Sequence, residues 1–140
     1  QLNMGQVRDI MEKNVITIDI NETANNAANQ MKENDISFLV IIENGKPVGV
    51  VSERDFVQKL CINNQNSSDV KISDIMSYKF RWVNPTTKIE DAIQKMLNNN
   101  IRRLLILDDE KLVGVITQTD LASYLREKLM IDGTIKNIKK

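Results

Sequence analysis

Apolar residues fall along the chain in blocks, each with its own period. Ile89, Ala92, Ile93, Met96 and Leu97 follow the i, i+3, i+4, i+7, i+8 rule, which predicts a helix burying those five side chains on one face. Ala24, Ala27, Ala28 and Met31 trace a thinner stripe of the same kind. Residues 38–42 and 104–107 are unbroken apolar runs, short and rich in branched side chains, and predict fully buried strands. Polar turns at residues 43–46 and 108–111 lead to second strands over residues 48–52 and 113–117, and Asn44-Gly45 is a type I′ hairpin signal. Short extended pieces, residues 15–18 and 81–83, precede the helices, and closing helices start near Glu53 and Gln118. Thr87 with Glu90 three residues on predicts a capping box for the helix after it, and Asn21 is the predicted N-cap of its counterpart.

These blocks form two sets at a fixed offset of 65 residues. Asp9-Ile10-Met11 returns as Asp74-Ile75-Met76, Val48-Gly49-Val50 as Val113-Gly114-Val115, and Asp55 as Asp120. About fifteen of some 54 paired positions are identical without a gap, against about three by chance, so the chain is an internal duplication. Each copy reads β-α-β-β-α, a mixed α/β (α+β) design. A unit of about 55 residues buries too little surface for comfortable stability alone, which predicts two repeats packed through their sheets with pseudo-two-fold symmetry. The expected division is a first repeat at residues 7–61, a polar linker at 62–71, a second repeat at 72–128 and a tail at 129–140. The first six residues and those after Gly133 are expected to fray.

Composition narrows the chemistry. With 41% hydrophobic and 27% charged residues, the 140-residue chain is neither disordered nor fibrous. Nineteen basic and nineteen acidic residues cancel, so no global field draws it to nucleic acid or an anionic membrane, and any anion site must be local. The basic groups Arg102, Arg103, Lys136, Lys139 and Lys140 lack an aromatic stacking platform, since the chain has only three Phe and two Tyr. The absence of histidine removes the usual general base and the commonest metal ligand. There is no Gly-x-x-x-x-Gly-Lys loop and no Gly-x-Gly-x-x-Gly turn. The expectation is therefore no enzyme, no metal and no tightly bound cofactor. The lone Cys61 reads as a buried small hydrophobe in a reducing compartment. No apolar run approaches the roughly 20 residues of a membrane helix, and neither end has a leader pattern, which suggests a cytoplasmic protein without a membrane partner. Met11, Met31, Met76 and Met96 recur at matched positions as core filler, and the single Trp82 is expected to pack.

Two short motifs can carry binding. Ser52-Glu53-Arg54-Asp55 and Thr117-Gln118-Thr119-Asp120 lie where a strand gives way to a helix. A hydroxyl there can donate to a phosphate oxygen, and a carboxylate one turn on can accept from both hydroxyls of a ribose. The same spacing also fits a capping box, in which both side chains merely satisfy the backbone. Arg102-Arg103 lies just before a buried strand, so at least one guanidinium should emerge at its mouth, as a phosphate fork or as a solvated pair. The counterparts in the first repeat are Ser37 and Phe38, which carry no charge.

A tandem β-α-β-β-α chain whose copies open on Asp-Ile-Met and close on Val48-Gly49-Val50-Val51-Ser52-Glu53-Arg54-Asp55 or Val113-Gly114-Val115-Ile116-Thr117-Gln118-Thr119-Asp120 resembles a pair of cystathionine β-synthase (CBS) domains. The resemblance implies a stand-alone regulatory module that binds AMP, ADP, ATP or S-adenosylmethionine in clefts between its repeats. Energy sensing and signalling to a separate effector protein would follow. Asp55 and Asp120 would hold the ribose. Ser52, Arg102, Arg103, Thr117 and Thr119 would hold phosphate, with the arginines serving the nucleotide on Asp55. Ile16 and Ile36, and Arg81 and Ile101, would line the two adenine pockets. The missing cation at residues 37 and 38 makes the two clefts unequal, unless Arg81 or the hydroxyls of Thr117 and Thr119 substitute. The alternative is a ligand-independent dimerisation or interaction scaffold, pairing copies through Phe56, Leu60, Leu121, Tyr124 and Leu125. A homodimer is expected under either reading.

Overall fold

A computed structural model describes residues 5–131. The expected frayed tail, with Lys136, Lys139 and Lys140, lies outside the described residues. The elements are β1 (Thr17–Asp19), α1 (Ala24–Asn34), β2 (Phe38–Glu43), β3 (Lys46–Ser52), α2 (Glu53–Asp55), β4 (Trp82–Val83), α3 (Ile89–Asn99), β5 (Arg103–Asp108), β6 (Lys111–Thr117) and α4 (Gln118–Ile131). α2 runs directly into a π-helical segment, Phe56–Cys61. The fold is mixed α/β with two three-stranded sheets, ordered β1-β2-β3 and β4-β5-β6. The first strand of each sheet runs parallel to the middle one, because α1 or α3 crosses over between them.

Both hairpin turns take positive φ at two successive residues, Asn44 and Gly45 in one and Asp109 and Glu110 in the other. That is the type I′ shape, whose twist matches the flanking strands. The first turn was legible from Asn-Gly. The second reaches the same geometry without glycine, with Glu110 at φ 68°.

The chain divides into two compact units, and their boundaries are not those of the sequence repeats. One unit holds residues 14–80 with 110–112, the other residues 5–13, 81–109 and 113–131. The first core joins Ile18, Ala27, Met31, Leu39, Ile41 and Val51 to Val70, Ile72, Ile75 and Met76. The second joins Val7 to Val83, Ile89, Ala92, Met96, Leu104, Ile106 and Ile116, with Met11 packed against it. Each Asp-Ile-Met segment thus completes the core of the other repeat. Backbone bonds fix the exchange: Val7 N–H donates to Thr87 O at 2.8 Å and Ala24 N–H to Val70 O at 2.7 Å. Glu12 and Val115 exchange a pair of bonds, as do Val50 and Ser77. The polar stretch read as a linker contains a 3₁₀ turn, Ser67–Asp69, tied to α1 by Ser67 Oγ donating to Asn25 Oδ1 at 3.0 Å.

This exchange explains why Val-Gly-Val and Asp-Ile-Met occur together. A Cβ at Gly49 would lie 2.8 Å from Met76 Sδ and 3.0 Å from Ser77 O. At Gly114 it would lie 2.6 Å from Met11 Sδ and 3.1 Å from Glu12 O. Each glycine is the floor on which the methionine segment rests.

Several local expectations are corrected. The N-cap of α3 is Lys88, without a side-chain bond, so Thr87 and Glu90 do not form the expected capping box. The N-cap of α1 is Thr23, whose hydroxyl accepts from Asn26 N–H at 3.1 Å, rather than Asn21. Asn21 instead bonds Asp19, through its N–H at 2.9 Å, in the turn before the helix. Leu97 is 67% exposed, because the packed arc of α3 is narrower than its apolar arc. Trp82 is 48% exposed and is not a core residue. Cys61 is exposed as well. Leu60 and Leu121 are core side chains, with Phe56 and Tyr124 packed against the two cores, so four of the five residues expected on a dimer face are engaged within the chain. The exposed apolar side chains near the closing helices are Val57, Ile62 and Met130.

Candidate functional site

Each unit carries one strand-to-helix turn, and the same local chemistry builds both. The strand ends on a hydroxyl residue, and the aspartate three residues on turns its side chain back over the first turn of the helix. Ser52 N–H donates to Asp55 Oδ2 at 2.8 Å, and Thr117 N–H donates to Asp120 Oδ2 at 3.0 Å. Asp120 N–H donates to Thr117 Oγ1 at 3.1 Å. Ser52 and Asp55 likewise form a capping box. The capping geometry is therefore present at both motifs. It does not use up the carboxylates: one oxygen of each is anchored by the backbone, and a second oxygen is set beside it in a half-buried position.

A further backbone bond ties each turn to the start of the middle strand of its sheet. Glu53 N–H donates to Ser37 O at 3.0 Å, and Gln118 N–H donates to Arg102 O at 2.8 Å. The backbone of Arg102 thus adjoins the Thr117 turn, in the unit of Asp120. Arg102 is exposed, and Arg103, half-buried, is the first residue of β5 rather than a residue preceding the strand. Thr119 is exposed on the first turn of α4.

The residues expected against adenine divide in the same way. Ile16 and Ile36 are partly buried and pack on the first core, while Ile101 packs on the second. Arg81 is exposed, and its Nε donates to Asn99 Oδ1 at 3.3 Å. One unit therefore collects Ile16, Ile36, Ser52 and Asp55, and the other collects Arg81, Ile101, Arg102, Arg103, Thr117, Thr119 and Asp120.

One residue of the site was missed from the sequence. Lys59 Nζ lies 3.0 Å from Asp55 Oδ1 and donates to Ile75 O at 3.1 Å. The i, i+4 spacing of Asp55 and Lys59 was a legible signal for the ion pair, though not for the contact with Ile75. Among the described residues no group of three or more Cys, Asp or Glu side chains is placed to hold a metal ion, and no helix is long and apolar enough to cross a membrane.

Comparison with known proteins converges on one family. The family model for the CBS domain matches residues 7–61 and 72–127. The protein MK0525 of Methanopyrus kandleri is 36% identical over 117 residues, covering 82% of this chain and 60% of its own length. The CBS domain-containing protein YhcV of Bacillus subtilis is 33% identical over 119 residues, covering 85% of this chain and 84% of its own. Among solved structures, the CBS domain pair of protein MJ0100, in complex with 5′-methylthioadenosine and S-adenosylmethionine, superposes with a TM-score of 0.78 at 26% identity. That match covers 88% of this chain and 97% of the other.

Proposed function

The chain belongs to the CBS-domain family, and from that premise we propose that it is a regulatory module whose strand-to-helix turns bind an adenosine-containing ligand and report it to a separate effector protein. The observation that carries this reading is the repeated half-buried carboxylate: at Asp55 and again at Asp120, one oxygen is fixed by the backbone of the preceding strand, which aims the other. A pre-oriented carboxylate is what a vicinal diol needs: where its second oxygen is open, accepting from both ribose hydroxyls requires no reorganisation. The two ligands seen in MJ0100 are of this class, and AMP, ADP and ATP share their ribose. In this reading Asp55 and Asp120 are the two positions at which ribose can be held, one of them sufficing for a ligand. Ser52, Thr117, Thr119, Arg102 and Arg103 hold phosphate, and Ile16, Ile36, Arg81 and Ile101 border the base. The module is non-catalytic, acts in the cytoplasm and works as a homodimer, for which the exposed Val57 and Ile62 supply apolar surface.

Thermal unfolding in the presence of AMP, ADP, ATP or S-adenosylmethionine tests the reading. A ligand at 100 times its Kd adds about 2.7 kcal/mol, a shift of several degrees for a chain of this size. One of the two variants Asp55→Ala and Asp120→Ala should abolish the shift, and which one does so identifies the occupied turn. A midpoint unmoved by all four compounds at millimolar concentration overturns the reading in favour of a ligand-independent scaffold.

A further inference from the structure

The two turns share a backbone but differ in how far their own side chains satisfy them. At the first turn three donors point at the Asp55 carboxylate. Ser52 N–H reaches Oδ2 at 2.8 Å, Ser52 Oγ lies 3.3 Å from the same oxygen, and Lys59 Nζ reaches Oδ1 at 3.0 Å. A carboxylate offers about four lone-pair positions, so three are taken and the charge is matched. The Lys59 side chain is 42% exposed but anchored at its tip. Its bond to Ile75 O at 3.1 Å holds the ammonium between two acceptors from different segments, over an Asp55 side chain that is only 15% exposed.

The second turn is left open. Asp120 Oδ2 accepts from Thr117 N–H, and Thr117 Oγ1 accepts from Asp120 N–H, which among the described residues leaves the threonine proton and Asp120 Oδ1 for an outside partner. Among the described residues Asp120 makes no ion pair. At the offset of 65 residues the counterpart of Lys59 is Tyr124, which carries no positive charge.

We propose that Lys59 is a specificity-determining residue that closes the Asp55 turn to an uncharged ribose, so that the Asp120 turn is the nucleoside site of the protein. The proposal rests on the adenosine-ligand reading above. A diol arriving at Asp55 must displace the ammonium from the carboxylate, whereas among the described residues no cation has to leave Asp120.

Titration calorimetry with adenosine, which carries no phosphate, tests the assignment. Wild type should bind one adenosine per chain. Asp120→Ala should weaken that site at least about tenfold, the worth of a hydrogen bond to a charged group, and Asp55→Ala should leave it unchanged. Lys59→Met should add a second site that Asp55→Ala in the same chain removes. Lys59→Gln keeps a donor for Ile75 O and serves the same purpose should the methionine variant fail to fold. If wild type loses adenosine with Asp55→Ala instead of Asp120→Ala, or if neither Lys59 variant gains a site while wild type still binds through Asp120, the assignment of Lys59 is overturned and the adenosine reading stands. If no adenosyl compound binds wild type or either Lys59 variant, both are overturned.

Discussion

The two repeats agree where their backbones touch and differ where their side chains meet solvent. Gly49 under Met76 and Gly114 under Met11 are the same contact made twice, and both residues of each pair are identical between the repeats. Beyond the shared Asp55 and Asp120, the closing segments diverge. α4 continues for fourteen residues, whereas α2 gives way after Asp55 to the π-helical segment Phe56–Cys61. In that segment Leu60 still reaches the core, while Lys59 is held between Asp55 and Ile75 O. Duplication thus fixed a scaffold, and single substitutions on its rim gave one turn an internal cation and left the other without one.

The glycines give the largest test of that comparison. Gly114→Ala and Gly49→Ala should each destabilise by about 1–3 kcal/mol, since part of the clash is with the backbone carbonyls of Glu12 and Ser77 and cannot be relieved by a methionine rotamer. Urea denaturation midpoints of the two variants measure this, and a neutral result at either site would break the equivalence of the repeats. Next come the helix caps. Thr23→Ala removes the bond to Asn26 N–H and should cost about 1 kcal/mol. Lys88→Thr transplants that cap to the other repeat and should stabilise by roughly 0.5–1 kcal/mol, read as a rise in the same midpoint. The smallest effect concerns the turns. Glu110→Gly relieves a left-handed backbone and should raise the thermal midpoint by the equivalent of a few tenths of a kcal/mol, the gain being reduced by the entropy of glycine in the unfolded chain. The exposed Lys46–Glu110 pair lost in that variant is well solvated and screened, so added salt should not reverse the sign.

Much of the fold was legible because it is written in local periods. The length and branching of residues 104–107 favoured a buried strand, and the period placed Ile89, Ala92 and Met96 on a buried face, where the structure has them. Leu97 shows where a period misleads: it shares the apolar arc, but nothing in the described chain covers it. The caps were misplaced for a related reason. Asn21 and Thr87 have the right chemistry, but β-bridges from Thr23 to Lys71 and from Gln6 to Lys88 hold the chain extended up to Thr23 and Lys88, so both helices start later. At the site, the motif fixed the carboxylates and their capping partners. It did not show that Lys59 reaches Ile75, a residue sixteen positions away on a segment that follows a polar stretch.

By itself the sequence determined the duplication, the order of elements in each copy, the position of both hairpins and the two strand-to-helix turns. Apart from the duplication, which is read from the fixed offset of 65 residues, these depend on neighbours within one or two turns of chain. Only the tertiary structure decided that each Asp-Ile-Met segment belongs to the core of the other repeat, that Leu60 and Leu121 face inward, and that one aspartate is matched by a lysine. The physical reason is the same in each case. An apolar or charged side chain declares what kind of partner it needs, but which partner it meets depends on segments brought together from distant parts of the chain.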